Sequence, residues 1–397
     1  MAALRPAHRT LADAVRARRT RPRPRPGRLL TAPAERHGPT PEHESVRRLR
    51  AGAQALADGA REASAEAVVR RVFAIQAQDA TAADLGIRVR GRGVTARAIR
   101  TAYEKERSIV RNWYMRGTLH TVPGDDARWV SRLLSPRILA ATGRRYQQLG
   151  LDGDLRQRAD RLIRRLLAVH GPLTRAELTE HLTTLGISPY GQAPFHLIRH
   201  AALTGVLCHG PQRAGEATYV LLDDWLPATG DARWEEDAAL AELAHRYLAA
   251  YAPAALEDFA AWSGLPVTWA RRAWKLLAES GVITEYGGLT LLAGRVEELP
   301  GPQDTPDVRM LPAYDNYLIG YRTREMSVPA LHQPRVWPGG GLIRPTVLAD
   351  GLAIATWSRG SGARSVKVDA FEPVPPQIQR EVDMEKDAVV RFLRPTT

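Results

Sequence analysis

The 397-residue chain is 44% hydrophobic and 25% charged, with a formal net charge of +13, the balance of an ordinary globular protein with length for roughly two to four compact units. No uninterrupted apolar run approaches the ~20 residues that span a bilayer, and the start lacks the apolar core of a signal peptide, so neither a membrane protein nor an exported one is expected. The single cysteine, Cys208, excludes an intramolecular disulfide and a cysteine-cluster metal site, and makes a reducing cytoplasmic setting the default.

More than half of the net charge resides in residues 1–42, where ten arginines face only Asp13, Glu35 and Glu42. In Arg21-Pro-Arg-Pro-Arg-Pro26 each proline removes a backbone donor and fixes its own φ, so this stretch reads as a disordered basic arm. Three roles stay open for it: salt-dependent binding of polyanions, a tail without function, or an organellar transit peptide.

The next segment, 43–155, carries a predicted helix from Ala65 to Ile75, a second from Thr95 to Glu106, and a strand-like run from Trp113 to Val122. Gln76 and Gln78 stand at the end of the first helix, whose apolar period is set by Val68, Val69, Val72 and Phe73. If the backbone leaves helical geometry there, both amides point the same way and can hold one water or one polar substrate group. Alternatively, they satisfy backbone groups at a helix end. Along the Trp113–Val122 run, Arg116, Thr118 and His120 alternate onto one face, where Arg116 suits a phosphate contact or a solvated wing position, and His120 a hydrogen bond to a ligand or a satisfied structural role.

Segment 156–230 gives a helix around Asp160–Leu167 and a second from Arg175 to Thr183, with Thr174 as N-cap and Glu177 as its capping-box partner. A third helix over Gln192–Leu203 leads to two short strands, Val206–His209 and Thr218–Leu222. Three helices and a hairpin form the winged helix-turn-helix plan. It recurs in 231–298, with helices Leu240–Tyr251, Leu256–Trp262 and Val267–Ala278 and the hairpin Val282–Glu285/Leu289–Leu292. Residues 43–155 follow it more loosely. Tandem repetition points to a scaffold that faces nucleic acid, with basic residues on the third helices (Arg97, Arg100, Lys105; Arg199; Arg271, Arg272, Lys275) placed to track phosphates. In 299–397 strands take over: Thr346–Trp357 reads as a hairpin turning at Asp350-Gly351, Val366–Phe371 as a strand, and Glu381–Leu393 as a closing helix or strand. The expected fold is therefore α+β: three tandem winged helix-turn-helix units followed by a small C-terminal β-barrel-like domain.

Five short motifs now fall in one order: Arg47-Arg-Leu-Arg-Ala-Gly-Ala-Gln-Ala-Leu56, Gln76-Ala-Gln78, Met115-Arg-Gly-Thr-Leu-His120, Leu311-Pro-Ala-Tyr-Asp-Asn-Tyr-Leu-Ile-Gly-Tyr-Arg-Thr-Arg324, and Pro345-Thr-Val-Leu-Ala-Asp-Gly351 with Thr356-Trp357. This pattern resembles the winged-helix DNA glycosylases typified by AlkZ and YcaQ, over roughly residues 43 to 395. The resemblance implies a concave DNA-binding surface, hydrolysis of the N-glycosidic bond of alkylated purines (chiefly N7-alkylguanine), and in some members unhooking of interstrand crosslinks or self-resistance to a DNA-alkylating antibiotic. Gln-x-Gln resembles the AlkZ branch, whereas the YcaQ branch carries Gln-x-Asp; here Asp79 follows directly after Gln78. Within this resemblance Gln76 and Gln78 are the catalytic candidates, and Arg116, Thr118, His120, Asp315, Tyr317, Tyr321 and Arg324 the candidates to bind DNA or line the site. For Asp315 and the tyrosines, a capped turn and domain-junction packing is the competing role.

An N7-alkylated guanine is already cationic and leaves without protonation, so the general acid of a conventional glycosidase is not required. What remains is to position a water and to stabilise the oxocarbenium-like sugar, which two amides can do. No cofactor or metal is implied, and no lysine adjoins the glutamines, so a monofunctional enzyme is expected. The partner is double-stranded DNA carrying alkylated purines, the resemblance implies a monomer, and the setting is cytoplasmic and nucleoid-associated. Two other readings remain: a non-catalytic winged-helix transcription regulator or lesion sensor, which has no need of Gln76-x-Gln78, and a protein-interaction scaffold.

Overall fold

The computed structural model describes residues 41–226, 235–294, 306–360 and 365–394. The basic arm lies outside these residues except for its last two, which begin helix α1 (Pro41–Ala53). Ser64 accepts from the Ala67 amide and so caps α2 (Ala65–Val72), whose Val68, Val69 and Val72 are fully buried. The helix ends earlier than its apolar period suggests, because Phe73 and Ala74 take φ values of 46° and 60°. The chain then emerges as β1 (Ile75–Gln76). Asp79 caps α3 (Ala80–Arg90) through the Ala82 amide, and Thr95 caps α4 (Ala96–Glu104) through that of Ala98.

The strand expected over Trp113–Val122 is in fact two, β2 (Ile109–Trp113) and β3 (Leu119–Pro123). Arg116 and Gly117 between them have φ of 56° and 68°, and this left-handed pair reverses the chain into a hairpin. Arg116, Thr118 and His120 therefore do not share a strand face. The antiparallel order is β1-β3-β2, with Gln76 opposite His120 and His120 opposite Asn112. A 22-residue helix, α5 (Ala127–Gln148), follows, and its Trp129 stacks on Phe73 with ring centroids 6.0 Å apart.

Helices α6 (Gly153–His170), α7 (Arg175–Leu182) and α8 (Ala193–Leu203) come next, and the Thr174–Glu177 capping box forms as expected. Strands β4 (Leu173–Thr174), β5 (Leu207–Arg213) and β6 (Glu216–Leu221) pair in the order β4-β6-β5. A third group comprises α9 (Glu236–Tyr251), α10 (Leu256–Ser263), α11 (Val267–Glu279) and the hairpin β7 (Ile283–Tyr286)/β8 (Leu289–Leu292). Tyr247, Tyr251 and Trp262 interlock there, Tyr247 stacking on Tyr251 at 4.9 Å.

The C-terminal strands β9 (Val308–Leu311), β10 (Thr346–Ala349), β11 (Leu352–Arg359) and β12 (Val366–Ala370) form a sheet of order β12-β11-β10-β9. Among the described residues this sheet is open and does not close into a barrel. Its hairpin turns at Asp350-Gly351, both left-handed as the turn type requires. Helix α12 (Pro376–Phe392) covers it, burying Val382 and Val389 against Val308, Met310 and Val347. The class is α+β, and no helix among the described residues is long and apolar enough to cross a membrane.

Candidate functional site

Gln76 and Gln78 meet where α2 gives way to β1. Ala77 donates to the Leu119 carbonyl at 2.8 Å, so residues 76–78 run extended along β3 and the two amides stand side by side. Gln76 Nε2 donates to Gln78 Oε1 at 3.4 Å. Gln76 is half-buried, Gln78 exposed, and the intervening Ala77 fully buried. The glutamines thus face outward from a fixed strand.

Arg116 reaches the same place from the β2–β3 turn. Its Nη2 donates to Gln76 Oε1 at 3.4 Å and its Nη1 to the Trp262 carbonyl. Loss of water against the protein lowers its pKa from the ordinary arginine value. Gly264, just past α10, lets this turn in close: a Cβ there would lie 3.0 Å from Arg116 Cγ and 3.2 Å from its backbone. Contacts of 3.4 Å are weak hydrogen bonds, and the second lone pair of each amide oxygen stays free, so a water or substrate group can enter this chain.

The titratable residues near the glutamines differ in their surroundings. His120 is buried, its Nδ1 sits 3.0 Å from the Thr118 carbonyl, and burial pushes its pKa down to about 3, with Arg116 adding to the shift. Asp79 is exposed and caps α3 through one carboxylate oxygen, which accepts from the Ala82 amide. Asp315 is buried in a two-pronged ion pair with Arg90, at 2.7 and 2.8 Å. Asp84, whose pKa burial raises to about 7, lines a cavity of about 110 Å³ with Ala80, Tyr103, Arg111 and His209. Arg111 and Thr121 occupy the strand positions next to Asn112 and His120, so their side chains leave the other face of the sheet.

The remaining predicted residues separate from the glutamines. Thr118 closes the Arg116 turn through the Met115 carbonyl. Tyr317 is fully buried and donates to the Gly351 carbonyl at 3.0 Å. Tyr321 is buried, donates to the Tyr251 carbonyl at 3.0 Å and lies under the Arg50 guanidinium. Asp315, Tyr317 and Tyr321 are therefore buried with internal partners, as junction packing requires. Arg324 is exposed and stacks over Trp337. Of the third-helix cations, Arg199 binds the Gly117 carbonyl at 3.1 Å next to the site, and Arg272 is paired with Glu236 and Asp237.

Sequence reasoning missed Asn316 and Tyr251. Asn316 Oδ1 accepts from the Gln76 amide N–H at 3.0 Å. Its Nδ2 donates to the Ala74 carbonyl at 3.0 Å and to Tyr251 Oη at 2.6 Å. Both residues come from elements far along the chain, and only the Tyr-Asp-Asn-Tyr run around Asn316 offered a signal.

Comparison with known proteins identifies the family. A family model described as DNA glycosylase AlkZ-like matches residues 69–392. A Streptomyces sahachiroi protein named "Interstrand DNA cross-link repair glycosylase" is 28% identical over 316 residues, 74% of this chain and 82% of the relative. The solved structure of Streptomyces sahachiroi DNA glycosylase AlkZ superposes with a TM-score of 0.71 at 25% identity, covering 88% of this chain and 96% of that one.

Proposed function

The chain belongs to the AlkZ-like DNA glycosylase family, and from that premise we propose that it hydrolyses the N-glycosidic bond of alkylated purines in duplex DNA, N7-alkylguanine foremost. One observation supports the choice of lesion: the groups that meet at Gln76 and Gln78 are two amides and the Arg116 guanidinium, and the neighbouring His120 is kept neutral by burial. An ordinary purine leaves only when protonated, whereas an N7-alkylguanine already carries its positive charge. The amide oxygens accept hydrogen bonds from the attacking water and face the positive charge that develops on the sugar. Arg116 holds Gln76 from one side and keeps that oxygen oriented.

The three helix groups, each with its small sheet, are read as winged helices spanning 43–155, 156–230 and 231–298, with 299–397 as the C-terminal β domain. Together they present the duplex to the glutamines, and the protein acts as a monomer. The enzyme is monofunctional, because among the described residues no lysine stands with the glutamines to attack the sugar. The Streptomyces sahachiroi relative is named for cross-link repair, and the exposed position of Gln78 suits a bulky or crosslinked adduct approached from the groove. Self-resistance to a DNA-alkylating natural product is the cellular role that fits.

The test is single-turnover base release from duplex DNA containing N7-methylguanine. Gln76→Ala and Gln78→Ala should each slow release on the order of a hundredfold with DNA affinity retained, if water positioning dominates. Full release by Gln76→Ala would remove that residue from the mechanism. Binding without release by the parent on methylated, bulky and crosslinked duplexes alike would favour a lesion sensor.

A further inference from the structure

We propose that Asn316 is a positioning residue: it holds the left-handed bend at Phe73-Ala74 and thereby fixes where the Gln76 amide stands, with Tyr251 setting the orientation of Asn316. This inference rests on the reading of Gln76 as a group that holds the attacking water.

Phe73 and Ala74 both have positive φ, a conformation that L residues avoid unless their surroundings impose it. Neither is glycine or asparagine, and both are fully buried, so nothing local favours the bend. The bend nevertheless decides the site, since it converts α2 into β1 and turns the glutamines outward. Asn316 grips the chain where the bend ends. Its Nδ2 donates to the Ala74 carbonyl and its Oδ1 accepts from the Gln76 N–H, each at 3.0 Å. One side-chain amide thus satisfies the backbone as a neighbouring strand would.

The direction of that amide is determined. Nδ2 also donates to Tyr251 Oη at 2.6 Å, and the Gln76 N–H can only donate, so a flipped amide would set NH2 against N–H. Tyr251 Oη in turn lies 3.5 Å from the Phe73 carbonyl. Tyr251 is itself held by its stack on Tyr247 and its packing on Trp262. From below, Asp315 accepts from the Tyr317 amide at 2.9 Å and is locked to Arg90. Asn316 therefore starts its short helical turn from a rigid base. The Gln76 side chain leaves the backbone one bond from the clamped nitrogen, so release of the clamp displaces the amide with little effect on the surface that meets DNA.

The experiment is a double-mutant cycle on single-turnover release from N7-methylguanine duplex, with DNA affinity and melting measured for every variant. Asn316→Ala should slow release on the order of tenfold to a hundredfold, because misplacement of a catalytic group by about 1 Å costs that much. Affinity should stay within about twofold of the parent, and Tyr251→Phe, which keeps the ring, should slow release by roughly threefold to tenfold. In a Gln76→Ala background neither change should slow release further, since residues that act through one group are not additive. Additive losses, unchanged rates in both single variants, or affinity falling in step with rate would overturn the inference. Should Asn316→Ala fail to fold, the Tyr251→Phe and Gln76→Ala cycle decides in its place. Gln76→Ala releasing base at the parent's rate, or a parent that releases none, would instead sink the reading of Gln76 and this inference with it. An impaired Gln76→Ala beside unimpaired Asn316→Ala and Tyr251→Phe would sink the inference alone.

Discussion

Replacing Asp315 with alanine should loosen the junction that carries Asn316 and cost stability, while DNA affinity stays at the parent's level. The Asp315 carboxylate and the Arg90 guanidinium are 1% and 0% exposed, and two N–H···O contacts of 2.7 and 2.8 Å join them. Asp315→Ala leaves that guanidinium buried with only neutral oxygens, those of Gln54 and Gly86, as partners. Breaking a buried pair from one side costs about 3–5 kcal/mol. The lost cap on the Tyr317 amide adds about 1 kcal/mol. Against a total stability of about 5–15 kcal/mol, the variant should lose from roughly a quarter to all of its margin. With a urea m-value of about 3 kcal/mol per molar, the midpoint should fall by about 1–2 M. In urea melts followed by circular dichroism, Arg90→Met/Asp315→Leu should recover most of the loss, because two apolar side chains leave no buried charge. DNA affinity below the melt should match the parent. Parental melting combined with weakened DNA binding would refute the reasoning and return Asp315 to the cleft.

Arg116→Ala should lower the release rate about tenfold while leaving the slope of log affinity against log salt unchanged, since the guanidinium is committed to Gln76 and the Trp262 carbonyl; a slope shallower by about one would mean that it contacts a phosphate. Gly264→Ala should cost about 1–2 kcal/mol in a thermal melt, because an alanine at φ of 75° is strained and its Cβ presses on Arg116. The same variant should also release base more slowly, and parental melting would count against the close approach drawn between α10 and the turn. His209, buried between Trp113 and Tyr219, is held neutral with its pKa at about 3. A depressed histidine contributes stability above its unfolded pKa of about 6.5 that is lost as pH falls toward 3, at up to about 1.4 kcal/mol per pH unit. His209→Phe should therefore flatten the acid limb of stability against pH between 6.5 and 4, and an equally steep limb would show that His209 does not titrate there.

Features with local causes could be read from the sequence. Thr174 and Glu177 are three residues apart and cap α7 as written, and Asp350-Gly351 turns its hairpin because both residues tolerate positive φ. The glutamine pair was legible as a motif, along with its condition that the helix end before it. What imposes that ending was not legible, because Asn316 and Tyr251 lie far along the chain and act through backbone atoms. The Arg116 turn was hidden for a related reason. The run from Trp113 to Val122 has strand composition throughout, and only Gly117 hints at a reversal, while the approach of Gly264 belongs to another element. Helix α5 went unseen because Pro136 lies inside it and its apolar residues do not gather on one stripe. The roles of Asp315 and Tyr317 were undecidable from sequence, since a polar residue in an aromatic segment suits a cleft and a junction equally until its partner, here Arg90, is known.

The central claim is tested most directly by the products formed on a duplex with a single N7-methylguanine, compared with Gln76→Ala/Gln78→Ala. The account predicts free N7-methylguanine in solution and an abasic strand that stays intact until alkali is added, both lost in the double variant while DNA binding persists. Equal release by the double variant, or a strand cut without alkali, would contradict it.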